Sequence, residues 1–114
     1  MKKTIYNKLV RDNIPSIIEA EGKKCTFHYA LEEDHKRLIK DKLLEECNEL
    51  IKAESPNDVI EEIADIYTVL HGIMDVYCLD HSMVATYAGL KSCVRGEFSS
   101  FAVLESVEEE EDEE

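Results

Sequence analysis

Apolar positions recur at helical spacing through the middle of the chain. Leu38/Ile39, Leu43/Leu44, Cys47 and Leu50/Ile51 predict a long amphipathic helix over residues 32–54. Ser55-Pro56-Asn57-Asp58 breaks the pattern, and Asn57 or Asp58 can cap the next helix. That helix is expected from about Val59 to about Leu79, through Val59, Ile60, Ile63, Ile66, Tyr67, Leu70, Ile73, Met74 and Tyr77. An apolar arc this wide implies burial on several sides, by a subunit interface as well as a core. Asp80-His81-Ser82 makes a second break. Residues 82–94 then predict a third long helix, with Met83, Val84, Tyr87, Leu90 and Val94 on one face and Gly96 at its end.

The ends of the chain are less periodic. Residues 4–10 read as extended or irregular. Asp12 can cap a short helix starting near Ile14–Pro15, with Ile14, Ile17 and Ile18 as its apolar face and Gly22 as its stop. Cys25–Ala30 is rich in β-formers and predicts a short strand. A second is expected within Phe98–Leu104, at 100–104, where Phe101 and Val103 are candidates to pair with the first. The fold class is therefore mainly α: a helical bundle with two short strands.

Length and charge refine this picture. The 114 residues suit a single domain, expected to span 1–107. Eight acids and no bases fall in Glu105–Glu114, so much of the net charge of −13 is an appended run; the rest of the chain holds 18 acids and 13 bases. Residues 108–114 are expected to be a solvated, disordered acidic tail. An acidic body argues against binding a nucleic-acid polymer. No apolar run approaches the roughly 20 residues that span a bilayer, and the N-terminus lacks the apolar segment of a signal peptide. Cys25, Cys47, Cys78 and Cys93 form no C-x-x-C pair and no zinc spacing. They are expected to be reduced, mostly buried thiols in a cytoplasmic protein.

Candidate chemistry gathers on the two central helices. At about 100° per residue, Glu46 and Glu49 share one flank of the first apolar stripe, about 60° apart. Glu45 falls almost opposite the stripe, where a surface role is expected. On the next helix Glu62 lies inside the apolar arc, between the directions of Ile66 and Val69, with Asp65 at its edge and Glu61 pointing away. An acid inside an apolar arc is costly unless compensated. Antiparallel packing across the break would bring Glu46, Glu49, Glu62 and Asp65 together. Oxygen-only ligands favour Mg²⁺, with Mn²⁺ as substitute. The plainer alternative is surface acids, with Lys42 neutralising Glu46 by an i, i+4 pair. A di-iron site is disfavoured: Glu32-Glu33-Asp34-His35 supplies one Glu-x-x-His and no second follows.

These residues resemble a known family. Glu45-Glu46-Cys47-Asn48-Glu49, followed after twelve residues by Glu62-Ile63-Ala64-Asp65, is similar to the EExxE…ExxD signature of the all-α nucleotide pyrophosphohydrolases, the MazG-like group. Asn7-Lys8-Leu9-Val10-Arg11-Asp12-Asn13-Ile14-Pro15 resembles the N-terminal segment of the phosphoribosyl-ATP pyrophosphohydrolase-like branch. Lys91-x-x-x-Arg95-Gly96-x-Phe98 resembles its KxxxRGGF ending, with Glu97 in place of the second glycine; Asn13 stands where lysine is common. The resemblance covers about residues 6–105. It implies an all-α NTP-pyrophosphatase-type bundle that hydrolyses a nucleotide between its α- and β-phosphates, using Mg²⁺ and releasing pyrophosphate. It implies Glu46, Glu49, Glu62 and Asp65 as metal ligands, and Glu45 as a residue that orients or deprotonates water. Lys91 and Arg95 would lie near the phosphates. Lys8 and Arg11 match the branch signature; phosphate contact is one role open to them, and a helix-capping pair of Arg11 with Asp12 another. Homodimers or homotetramers built on helices are also implied.

The mechanism expected on this basis is in-line attack of water on phosphorus, with Mg²⁺ neutralising charge that develops on the leaving group. Two other readings fit the sequence: a helical protein-interaction module whose acidic tail binds a basic partner, and a non-catalytic relative that binds nucleotide.

Overall fold

The structure, a computed structural model, describes residues 2–112. Among them the chain forms α1 (Ile14–Ala20), a 3₁₀ turn (Glu32–Asp34), α2 (His35–Lys52), α3 (Pro56–Val76) and α4 (His81–Arg95), with no strand. Two compact units result, Met1–His81 and Ser82–Glu114.

The first unit is built on the α2–α3 hairpin. The helix expected from residue 32 opens as the 3₁₀ turn and becomes α-helical only at His35. At the break, Ser55 rather than Asn57 or Asp58 is the cap: its Oγ accepts the Asp58 N–H at 3.1 Å, and Pro56 fills the first turn. α3 therefore starts three residues earlier than its apolar period suggests. Near the start of α2, Ile39 meets Gly72 late in α3; near its end, Glu46 meets Glu62 and Asp65 early in α3. The helices thus run antiparallel. Gly72 permits the close approach, since a Cβ there would lie 3.0 Å from Ile39 Cδ1. Lys36 and Lys40 close the same end of the hairpin over the Tyr77 ring, 4.7 and 5.0 Å from its centroid.

The core is thin. Val69 is the one buried apolar residue among those described, and Glu46 is the one buried charged residue. The inner face of α3 carries Val59, Glu62, Ile66, Val69 and Ile73 at buried or half-buried positions. Ile60, Ile63, Tyr67 and Leu70 are exposed and line up three and four residues apart, a second apolar stripe along the same helix. α3 is thus apolar on two flanks, of which α2 covers one.

α1 is capped by backbone at Asn13, not by the Asp12 side chain; the Ile14 N–H donates to Arg11 O at 3.1 Å. It ends at Gly22, whose φ of +79° suits glycine. Cys25–Ala30 is irregular where a strand was expected. Its β-formers find no ladder partner; Phe27 and Tyr29 instead meet edge to face at 5.7 Å.

The second unit carries the rest of α4 and the C-terminal segment. Gly96, at φ +74°, ends the helix with its N–H on Ser92 O. The strand expected at 100–104 is likewise absent: Phe101 closes a turn on Phe98 O, and Phe101, Val103 and Leu104 are exposed. Residues 105–112 carry no regular structure and are exposed; the last two positions of the acidic run lie outside the described residues. All four cysteines are free. Cys25 and Cys47 are half-buried, but Cys78 and Cys93 are exposed, so the expected burial holds for neither of the last two.

Candidate metal centre

Three carboxylates meet across the α2–α3 interface, toward the end of the hairpin nearer its turn. Glu46 comes from the last turns of α2, and Glu62 and Asp65 from the second and third turns of α3. One oxygen from each lies within 4.8 Å of the others. The antiparallel register makes this meeting, because i, i+3 spacing puts Glu62 and Asp65 on the face that α2 covers. Glu46 is buried, and Glu62 and Asp65 are half-buried.

Glu62 sits where its position in the apolar arc places it. Its Oε2 is enclosed and has no hydrogen-bond partner. Desolvation, then the hydrogen bond and charge of Glu46, and then the charges of Asp65 and Glu49, push its carboxyl above the ordinary value of 4.5. Glu49 is exposed and stands to the other side of Glu62; the two line a shallow depression with Lys52, Ala53 and Asp58. The fourth expected ligand therefore borders the cluster without joining it.

Cations ring the carboxylates. Lys42 Nζ lies 3.1 Å from Glu45 Oε2 and 3.4 Å from Glu46 Oε1, so the i, i+4 pair with Glu46 forms alongside the cluster. Lys8 Nζ donates to Glu45 Oε1 at 2.8 Å. Arg11 Nη2 donates to Asp65 Oδ1 at 2.6 Å. Arg11 thus pairs across the hairpin and not with Asp12. Glu45 is half-buried rather than free in solvent, held between Lys8 and Lys42. The Lys8 hydrogen bond holds its carboxyl below the ordinary range, and the same bond holds the Lys8 ammonium above 10.5.

These contacts define a strap. Residues 7–13 lie across the acidic ridge of the hairpin, and Asn7, Lys8 and Leu9 form a cleft with Arg37, Leu38, Asp41, Lys42 and Glu45 of α2. Periodicity does not reveal it, since its partners are 37 and 54 residues away in sequence. The resemblance alone pointed to Lys8 and Arg11. Lys91 and Arg95 lie one turn apart on an exposed face of α4, in the second unit.

The donor set suits a hard dication. It offers oxygen only, and it contains an enclosed oxygen lacking a partner. Oxygens around Mg²⁺ at about 2.1 Å are roughly 3 to 4.2 Å apart, a spacing comparable with the 4.8 Å within which the three carboxylate oxygens lie. Comparison with known protein families, with curated proteins and with solved structures finds no match. Among the described residues, no helix is long and apolar enough to cross a membrane.

Proposed function

We propose that this protein is a Mg²⁺-dependent nucleotide pyrophosphohydrolase of the MazG-like, phosphoribosyl-ATP pyrophosphohydrolase-like kind. It would cleave between the α- and β-phosphates of a nucleoside triphosphate or a phosphoribosyl-ATP-like substrate and release pyrophosphate. The observation that carries the reading is that Glu62, whose Oε2 is enclosed and unpartnered, brings a carboxylate oxygen within 4.8 Å of oxygens of Glu46 and Asp65.

When bound, Mg²⁺ supplies charge neutralisation for the polyphosphate and lowers the pKa of water at the site; Mn²⁺ is a substitute. Glu46, Glu62 and Asp65 would hold it, with Glu49 at the border. Glu45 is placed one residue from Glu46 with its carboxylate kept ionised by Lys8 and Lys42, which suits it to orient water by accepting its hydrogen bond; the same two cations weaken it as a base. Lys8, Arg11, Lys91 and Arg95 are the basic residues assigned to the phosphates. The working form is a cytoplasmic homodimer or homotetramer. The exposed stripe of α3 and the thin core support that assembly.

The test is a screen of nucleoside triphosphates and phosphoribosyl-ATP with Mg²⁺, assayed for pyrophosphate, together with Mg²⁺ and Mn²⁺ calorimetry. Pyrophosphate release that stops with EDTA is expected. Metal binding without turnover on any substrate would leave a nucleotide-binding protein, and no metal binding would leave a helical interaction module.

A further inference from the structure

The strap places two cations on the acidic ridge by different means. Lys8 is bound to Glu45, which stands outside the three-carboxylate cluster. Arg11 is bound to Asp65, which belongs to it. A guanidinium on Asp65 Oδ1 and a dication drawing on the same carboxylate compete for one ligand. The Arg11–Asp65 pair is suited to exchange, because both side chains are more than a third exposed and such pairs are weak. Its backbone precedes α1 in irregular chain, with Asn7 at φ +46°, so no helix fixes the guanidinium in place.

Resting on the metal reading above, we propose that Arg11 is a stand-in cation that changes partners. Without a dication it neutralises Asp65; when a dication takes Asp65, the guanidinium is released to the polyphosphate that the dication attracts. Phosphate is the natural second partner, since the planar guanidinium fork matches its oxygens two at a time. Lys8 keeps its hydrogen bond to Glu45 and so anchors the strap, its other N–H groups being left for the phosphates. The exchange couples the two ligands reciprocally: metal on Asp65 frees the arginine for phosphate, and phosphate on the arginine frees Asp65 for the metal.

Opposite signs in two binding measurements test this. Mn²⁺ is titrated into EDTA-treated, desalted protein by calorimetry, and tripolyphosphate is then titrated into the Mn²⁺-saturated protein. Arg11→Gln should bind Mn²⁺ about fivefold more tightly, the equivalent of losing one exposed ion pair, and should bind tripolyphosphate more weakly. Lys8→Gln removes the same charge from Glu45 and should change Mn²⁺ affinity by less than about twofold. Arg11→Lys should restore wild-type Mn²⁺ affinity but only part of the tripolyphosphate affinity. If wild-type protein binds no Mn²⁺, the metal reading falls and the exchange with it. If wild-type protein binds Mn²⁺ but Arg11→Gln binds it no better than Lys8→Gln does, or keeps full tripolyphosphate affinity, the exchange alone is overturned.

Discussion

Glu46 and Glu62 face each other across the α2–α3 interface as a like-charged pair, with one oxygen of Glu62 enclosed and unpartnered. Two carboxylates so placed destabilise the hairpin unless one is protonated or a cation joins them. Glu62→Gln removes the repulsion and keeps the shape. In EDTA the variant should melt at a higher temperature than the wild type. With Mg²⁺ the order should reverse, because only the wild type gains stability from binding. Pyrophosphate release should fall by at least about a hundredfold. Thermal melts of both proteins with and without Mg²⁺ check the crossover; a variant that is less stable in EDTA would show that Glu62 is a structural acid.

The hairpin was legible because its cause is local. Leu43, Cys47 and Leu50, then Ile66, Val69 and Ile73, follow one another at 3 and 4 residues, and Ser55-Pro56 lies between the two runs. The cap was misplaced: Asn57 or Asp58 was expected, but the fixed φ of Pro56 favours starting the helix at Ser55. Glu62 could be singled out from the same local pattern, as an acid at an apolar position. The strands of residues 25–30 and 100–104 were not determined locally: β-formers make a strand only when another edge pairs with them. Glu45 was misread and Arg11 left open because each pairs across the contact between the strap and the hairpin. No helical period connects Lys8 with Glu45 or Arg11 with Asp65.

Glu62 on α3 and Glu45 on α2 should titrate with opposite effects. Glu62 has a raised carboxyl pKa, so its contribution to folding is favourable below its ordinary value of 4.5, where it is protonated in both states, and is lost as pH rises through the raised value. Glu45 is lowered by Lys8, so its contribution is present above 4.5 and is lost as pH falls through the lowered value. Divalent-metal affinity needs Glu62 ionised and should therefore weaken as pH falls through its raised value. Melts in EDTA across pH 3 to 8 on the order of half-unit steps would separate these. The gap between Glu62→Gln and wild type should widen with rising pH, whereas the gap between wild type and Lys8→Ala should shrink on acidification and at high salt, remaining under about 1 kcal/mol. A gap at Glu62 that does not vary with pH would contradict the first assignment.

Gly72 tests how tightly the hairpin closes. Alanine there places a Cβ 3.0 Å from Ile39 Cδ1, the flexible end of its side chain, which can turn aside. Replacing a mid-helix glycine with alanine favours the helix by about 0.8–1 kcal/mol. Gly72→Ala should accordingly raise stability slightly, by about 0.5 kcal/mol after the cost of moving Ile39. Gly72→Leu cannot be absorbed in this way and should cost about 1–3 kcal/mol by forcing the helices apart. Urea denaturation of the two variants decides the matter, and equal behaviour would mean that Gly72 does not set the helix separation.

The exposed stripe of α3 is where assembly should be most sensitive. Ile60, Ile63, Tyr67 and Leu70 are 64%, 40%, 63% and 36% exposed, while the opposite flank of the helix is packed on α2. A row of large apolar side chains at this spacing is the seam by which helices pair, and leaving it in water forfeits about 25 cal/mol for each Å² of apolar surface. Ile63→Glu and Tyr67→Glu would bring a carboxylate into such a seam without touching the α2 contact or the carboxylate cluster. Sedimentation velocity should show wild-type dimers or tetramers and a monomeric double variant of unchanged helical content. The EDTA melt of that variant should also become independent of protein concentration, as expected when subunit association no longer contributes. If wild-type protein already sediments as a monomer, or the double variant keeps the wild-type mass, the stripe is not the subunit interface.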